Sequence, residues 1–281
     1  MIDSMTGKVC VLTGASSGIG KAACAALAGL GATMIMVVRD LGKGQTALAE
    51  VKAAATGEAP RLELADLASA SQVKDLARRL GELPRIDVLI NNAGLVMRRK
   101  ELTEDGIEHT FAVNHLAPFL LTNLLLTKLE ADSARIVNVA SIGHRFGRIN
   151  LDDIADPKVF IPLLTYGNSK LANILFTREL ARRLEGTGAT ANCLHPGTVR
   201  SGFGNSGEAW LRYGFALIGP LVSTPEQGAS TVVYLASSPE VEGKTGGYYV
   251  KRKLRRPSRA ARNDDLAVRL WDFSAKLTGL E

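Results

Sequence analysis

Tyr166 and Lys170 stand four residues apart in the run Tyr-Gly-Asn-Ser-Lys. On a helix, positions i and i+4 share a face, so an ammonium at Lys170 would lie beside the phenol of Tyr166 and favour its ionised form. An unperturbed phenol titrates near ~10, and bringing it to about 7 takes roughly 4 kcal/mol of differential stabilisation, which one cation and a cofactor charge can share. Such a pair is a proton carrier for chemistry on alcohols and carbonyls. Near the start of the chain, Thr13-Gly14-Ala15-Ser16-Ser17-Gly18-Ile19-Gly20 forms a glycine-rich stretch. A turn of this kind between a strand and a helix lets the backbone approach a pyrophosphate, and the helix start offers unpaired N–H groups and a positive dipole end. Gly14, Gly18 and Gly20 take those places, with Ser16, Ser17 and Ile19 between them. The two motifs together point to a dinucleotide site that carries its own acid.

Alternating strand-like and helical runs hold both motifs. Lys8 to Thr13 reads as a strand, a helix follows from about Gly18, Thr33 to Val38 is a second strand, and an alanine-rich helix comes next. Further apolar runs at 61–64, 86–90, 135–139, 190–194 and 247–250 are separated by segments long enough for helices. This pattern predicts one domain over 1–281, an α/β fold with a doubly wound, parallel, seven-stranded, Rossmann-like sheet. Ligands of such a sheet gather at the carboxyl ends of the strands, where the strand order reverses.

The end of the second strand bears on the choice of cofactor. An acid there accepts hydrogen bonds from the ribose hydroxyls of NAD, but this chain has Val38 followed by Arg39, whose guanidinium suits a 2′-phosphate. NADP is the expectation. Asp40 leaves an alternative open, because one step of register would bring a carboxylate to the ribose.

Composition narrows the remaining classes. The 281 residues are 46% hydrophobic and 22% charged, enough for a large core, and no Pro/Ser-rich linker or repeat divides them. The opening Met1-Ile2-Asp3-Ser4-Met5 lacks a basic flank and an apolar core, and no apolar run approaches the ~20 residues of a membrane span. The expectation is a cytoplasmic chain without a transmembrane segment. The most apolar segment, Phe111 to Leu126, reads as a buried helix. Cys10, Cys24 and Cys193 form no CxxC pair and read as core residues; His109, His115, His144 and His195 show no metal-ligand spacing, so no metal is expected. The net charge of +6 is concentrated in the basic segment around 251–262, where Lys251, Arg252, Lys253, Arg255, Arg256, Arg259 and Arg262 crowd together. Without interleaved aromatics it reads as a solvated loop, not a nucleic-acid surface.

With Thr13 to Gly20, Asn91-Asn92-Ala93-Gly94, Asn114, Ser141 and Tyr166 to Lys170 in this order, the chain resembles the short-chain dehydrogenase/reductase superfamily over nearly its whole length. Arg39-Asp40, Val113-Asn114-His115-Leu116, Ser169-Lys170-Leu171-Ala172-Asn173-Ile174-Leu175-Phe176 and His195-Pro196-Gly197-Thr198-Val199 are similar to its retinol dehydrogenase-like branch. The resemblance implies Tyr166 as general acid or base, Lys170 lowering the phenol's pKa and holding the nicotinamide ribose, Ser141 bonding the substrate oxygen, and Asn114 supporting a water-mediated proton path through Lys170. It also implies Asn92, Ala93 and Gly94 along the adenosine side, Asp66 and Leu67 at the adenine, and Pro196, Gly197 and Val199 along the nicotinamide. Hydride transfer is the cofactor's own chemistry.

The 25 positions from Ser141 to Tyr166 exceed the usual gap of the wider superfamily, although the branch carries a similar insertion; His144, Arg145 and Phe146 open it and are candidates to line a substrate pocket. Position 140 is Ala where relatives often have a second serine. The branch's membrane-bound members carry an N-terminal anchor that the opening residues here do not resemble, which weakens direct transfer of a retinoid substrate. Phe203, Trp210, Leu211, Tyr213, Phe215, Leu217 and Ile218 suggest a loop covering a small lipophilic substrate, with a packed helix or subunit contact as the equal alternative. The activity expected is hydride transfer between NADP and a lipophilic alcohol, aldehyde or ketone; the alternatives are an NADP-binding regulator or scaffold without turnover and a surface-binding protein using the basic segment. Relatives commonly pair through long helices, so a homo-oligomer is the assembly the resemblance implies.

Overall fold

A computed structural model of the chain describes residues 4–197 and 224–281. Its strands are β1 (Val9–Thr13), β2 (Thr33–Val38), β3 (Arg61–Leu64), β4 (Val88–Asn91), β5 (Arg135–Val139), β6 (Thr190–His195), β7 (Tyr248–Val250) and β8 (Lys253–Arg255). They form one sheet in the order β3-β2-β1-β4-β5-β6-β7-β8. The chain runs outward from β1 to β3 and then returns to place β4 on the other side of β1, so the strand order reverses between β1 and β4.

Helices cover both faces, which explains why the inner strands read as unbroken apolar runs. Cys10, Leu12, Met34 and Met36 point to one face and pack under α1 (Gly18–Gly29), α2 (Leu41–Ala54) and a later helix at Pro225–Ser237. Val11, Ile35, Val37 and Leu89 point to the other and pack against α3 (Ala70–Gly81) and the helices that follow β4. A third cluster, with Phe111, Leu171, Ile174, Cys193, Tyr248 and Leu270, lies beneath the carboxyl end of β6. The cysteines are all buried and unpaired, as small core residues.

The apolar segment expected as one helix is instead broken into pieces. A short α4 (His109–Phe111) passes into a π-helical turn at Ala112–Leu116, then α5 (Ala117–Leu124) and α6 (Leu126–Ala131). Pro118 lies in the first turn of α5, where its missing N–H costs nothing. The wide π turn turns Asn114 inward and leaves it fully buried. The helix that carries Tyr166 and Lys170 is α7 (Pro162–Arg183), opened by Pro162 in its first turn; α8 (Pro225–Ser237) starts with a capping box between Thr224 and Gln227, and α9 (Asp264–Thr278) ends on the left-handed Gly279.

Seven strands are parallel, as expected, and the sheet carries an eighth. β8 runs antiparallel to β7 at the edge, through a tight turn in which Lys251 and Arg252 both have positive φ (50° and 61°). The stretch expected as a loop is therefore a hairpin followed by a 3-10 turn at Ala260–Arg262. Periodicity gives no sign of it because Lys253, Leu254 and Arg255 are all exposed and none of the usual Asn-Gly turn chemistry is present. Among the described residues, no helix is long and apolar enough to cross a membrane.

Candidate active site

The two motifs meet at the strand-order reversal. After β1 the backbone turns at Gly14, with φ of 72°, and a Cβ there would stand 2.9 Å from the Cα of Ala93. At Gly20 a Cβ would come within 2.2 Å of the Gly14 carbonyl, so only glycine lets the first turn of α1 pack on the loop. Ser17 occupies the N-cap of α1 without making a side-chain cap, and no acidic residue stands in the helix's first turn. The leading N–H groups of α1, from Gly18 and Ile19 onward, thus face the turn with their positive dipole end uncompensated by side chains. Ser16 lies on the same turn.

The loop after β4 is tied to this turn by its own hydrogen bonds. The N–H groups of Asn92 and Ala93 both donate to Thr13 Oγ1 at 3.1 Å, and Asn92 Nδ2 donates to the Thr13 carbonyl at 2.8 Å. Leu67, Ala93 and Val113 line a small apolar recess beside Thr13. Asp66 accepts from the Ala68 N–H at 3.0 Å and shapes the turn that presents Leu67. Arg39 is exposed at the carboxyl end of β2 and makes no hydrogen bond or ion pair among the described residues, whereas Asp40 caps α2 by accepting from the Lys43 N–H at 2.9 Å. That bond holds the Asp40 carboxyl below its ordinary range.

Four further residues converge at the carboxyl ends of β4 and β5. Lys170 is buried, 3% exposed, and its ammonium donates to the Val139 carbonyl at 3.0 Å. Burial drives its pKa down to about 8. Nζ lies 5.7 Å from the centroid of the Tyr166 ring. A Cβ at Gly94 would be 3.2 Å from that Nζ and 3.3 Å from Asn114 Oδ1, so the β4 loop passes directly over both. Asn114 uses its whole amide: Oδ1 accepts from the Leu95 N–H (2.8 Å), and Nδ2 donates to the Leu95 carbonyl (2.9 Å) and to Ser169 Oγ (3.0 Å).

Ser141 caps a 3-10 turn at Ile142–Arg145, its Oγ accepting from the Gly143 N–H at 3.1 Å, and it stands near the Tyr166 ring: a Cβ at Gly143 would lie 3.6 Å from Ser141 Oγ and 3.3 Å from Tyr166 Cε1. Burial raises the Tyr166 pKa above its ordinary value, and the Ser141 hydroxyl opposes the rise.

Of the remaining expected residues, Pro196 and Gly197 follow β6 beside this cluster, Gly197 with φ of 94°. Val199 and the apolar residues Phe203 to Ile218 lie outside the described residues. His144 is fully buried and does not line an open pocket; Phe146, 65% exposed, stands at the surface with Ile142, Val159, Ile161 and Leu163, also exposed. Sequence reasoning missed Ser258, whose N–H reaches His144 Nε2 at 3.1 Å. Among the described residues no cluster of His, Cys, Asp or Glu could hold a metal ion.

The site's residues fit a nicotinamide dinucleotide: a glycine turn that side chains would block, a helix start free of acidic side chains, and a buried ammonium whose partner in this chain is a single carbonyl. Comparison with known proteins agrees. The family model for short chain dehydrogenases matches residues 8–211. Human retinol dehydrogenase 14 is 44% identical over 98% of this chain and 88% of its own length, and mouse retinol dehydrogenase 12 is 41% identical over 98% and 87%. Among solved structures, an uncharacterised protein from Mycobacterium paratuberculosis aligns with a TM-score of 0.79 at 34% identity, covering 99% of this chain and 96% of that one. A blue fluorescent protein from a metagenomic library, solved in complex with NADPH, aligns at 0.69 with 30% identity over 88% and 96%. The chain is a hydride-transferring oxidoreductase of the short-chain dehydrogenase family, in its retinol dehydrogenase-like branch.

Proposed function

We propose that this enzyme uses NADP to interconvert a lipophilic alcohol with its aldehyde or ketone. The observation that carries the reaction type is the convergence of Ser141 and Tyr166 on either side of Gly143, with the buried Lys170 ammonium 5.7 Å from the Tyr166 ring. The cofactor, when bound, supplies or accepts the hydride. In reduction, Tyr166 gives its phenolic proton to the carbonyl oxygen while Ser141 hydrogen-bonds that oxygen; in oxidation the phenolate takes the proton back. Lys170 steadies the phenolate and contacts the nicotinamide ribose. Asn114 braces the segments on either side of the lysine, Leu95 and Ser169, and so supports reprotonation through Lys170.

Gly14, Ser16, Ser17, Gly18, Ile19 and Gly20 would hold the pyrophosphate, Leu67 with Asp66 the adenine, Asn92, Ala93 and Gly94 the adenosine side, and Pro196, Gly197 and Val199 the nicotinamide. Preference for NADP rests on Arg39, exposed and without a partner among the described residues, and on Asp40, whose carboxylate is already engaged as the α2 cap. A lipophilic substrate is supported by the exposed apolar side chains of Ile161 and Leu163, at the start of the helix that carries Tyr166, and of Phe146, in the segment packed on Gly167. The "Retinol dehydrogenase" names of its relatives make retinal a first substrate to try.

The test is reduction of a series of straight-chain aldehydes and of retinal with NADPH and with NADH. The reading expects kcat/KM to climb with apolar length and NADPH to be preferred. Equal use of both cofactors, or preference for short polar carbonyls, would refute the corresponding half.

A further inference from the structure

Two imidazoles hold one peptide unit beside the site. The carbonyl of Ser141 accepts from Nδ1 of His144 at 2.7 Å, and the next N–H, that of Ile142, donates to Nδ1 of His195 at 3.2 Å. These are the two polar ends of the same peptide bond. The outer nitrogen of His144 accepts from the Ser258 N–H at 3.1 Å, while its ring meets Tyr248 edge-on with centroids 5.2 Å apart. His144 is thus the Nδ1–H tautomer, with both nitrogens engaged and no exposure to solvent. His195 presents Nδ1 as an acceptor and is thus the Nε2–H tautomer. Burial lowers the pKa of both, that of His195 to about 4, and so keeps them neutral, which the arrangement requires.

We propose that His144 and His195 are positioning residues that clamp the Ser141–Ile142 peptide unit and thereby aim the Ser141 hydroxyl at the substrate oxygen. This rests on the reading of Ser141 given above. The serine side chain turns about a single bond, and its direction is set by the backbone that bears it. Ser141 lies in extended conformation (φ −157°, ψ 159°) at the junction of β5 and a short 3-10 turn, where the turn's own bond from the His144 N–H to the Ser141 carbonyl, 3.2 Å, holds one end of the peptide plane. The two imidazoles add restraint at both ends. His195 ends β6 immediately before Pro196 and Gly197, so the same ring that holds the Ile142 N–H links the Ser141 turn to the segment expected along the nicotinamide. Through Ser258 the C-terminal stretch after β8 closes the outer side of His144. A supporting shell of this kind holds a reacting group to within the roughly 0.5 Å that catalysis demands.

The decisive experiment is a double-mutant cycle with retinal and nonanal as probes. His144→Phe and His195→Phe, each alone, are expected to lower kcat about 10- to 100-fold, the range seen when outer-shell partners are removed, with NADPH affinity changed by less than about twofold. In a Ser141→Ala background the same substitutions should lower the residual kcat by less than about twofold, because the group they aim is gone. His144→Asn, which keeps a donor for the Ser141 carbonyl, should recover most of the loss. Equal losses in both backgrounds would overturn the positioning role and leave only a structural one. A second measurement needs no variant to fold: 15N imidazole shifts of the unmodified protein must show His144 as the Nδ1–H and His195 as the Nε2–H tautomer, and the opposite tautomer at either ring would overturn the clamp. Full turnover in Ser141→Ala alone would instead remove the reading of Ser141, with the tautomers still reporting on the clamp.

Discussion

Lys170 carries the clearest cost at the level of single residues. Its pKa falls from 10.5 to about 8 on burial, so between those values the unfolded chain binds more protons than the folded one, and stability rises with pH through that window. At pH 7 the buried ammonium therefore opposes folding by about 3 kcal/mol. Lys170→Met should raise the melting temperature at pH 7 and give a much smaller gain at pH 10, while eliminating turnover; thermal melts at the two pH values check this, and a lower melting temperature at pH 7 would contradict it. Arg39 offers a cleaner binding prediction. Removing a guanidinium that meets a phosphate costs about 1.5–3 kcal/mol, so Arg39→Ala should weaken NADPH about 10- to 100-fold and leave NADH nearly unchanged in titrations of intrinsic fluorescence. The identities of Ser141, Tyr166 and Lys170 were legible because their spacing and order are sequence properties. The burial of the pair was not, because how far the phenol and the ammonium are desolvated depends on what packs around α7. The clamp on Ser141 was equally invisible, because His144 and His195 meet only when β5 and β6 pair.

At the scale of elements, the glycine turn is the most exacting feature. Gly20→Ala places a methyl carbon 2.2 Å from the Gly14 carbonyl, so the start of α1 must shift from the turn, and we expect a stability loss of about 1–3 kcal/mol and at least tenfold weaker NADPH binding. Gly81→Ala is the control: it meets nothing within 4 Å at the end of α3 and should be neutral or stabilising by about 0.5 kcal/mol. Denaturant unfolding and cofactor titration of the two variants separate the outcomes. Inner strands were readable because burial on both faces forces nearly continuous apolar runs, as in Val9–Thr13 and Thr33–Val38. The interruption at Ala112–Leu116 was not, because a π turn inserts one residue into a register that composition alone does not mark. β8 escaped for the opposite reason. Its exposed, charged residues carry neither alternation nor a glycine turn.

For the whole molecule, the sheet's amino-terminal edge is held by one buried carboxylate. Asp87 accepts from the Val9 N–H at 2.9 Å and pairs with Lys8 and Arg85; burial pushes its pKa up, but these partners outweigh burial and leave it below its ordinary value. Its contribution is thus present above the unfolded carboxylate pKa near ~4 and fades as pH falls through the lower folded value. Asp87→Asn should destabilise by about 1–3 kcal/mol at pH 7, with the two stability curves converging in acid. A constant difference down to pH 2 would show that the charge is not responsible. Farther across the fold, Arg183 stacks on Trp271 at 4.2 Å and His115 hydrogen-bonds Ser274, so α9 is locked to α7 and to the π turn that carries Asn114. This scaffold serves one central claim, that Tyr166 is the proton donor of a hydride-transfer site. The most direct test follows NADPH oxidation with retinal and long-chain aldehydes for the unmodified enzyme and for Tyr166→Phe, together with NADPH affinity. The account predicts turnover reduced at least about a hundredfold in the variant with affinity preserved; undiminished turnover in Tyr166→Phe would contradict it.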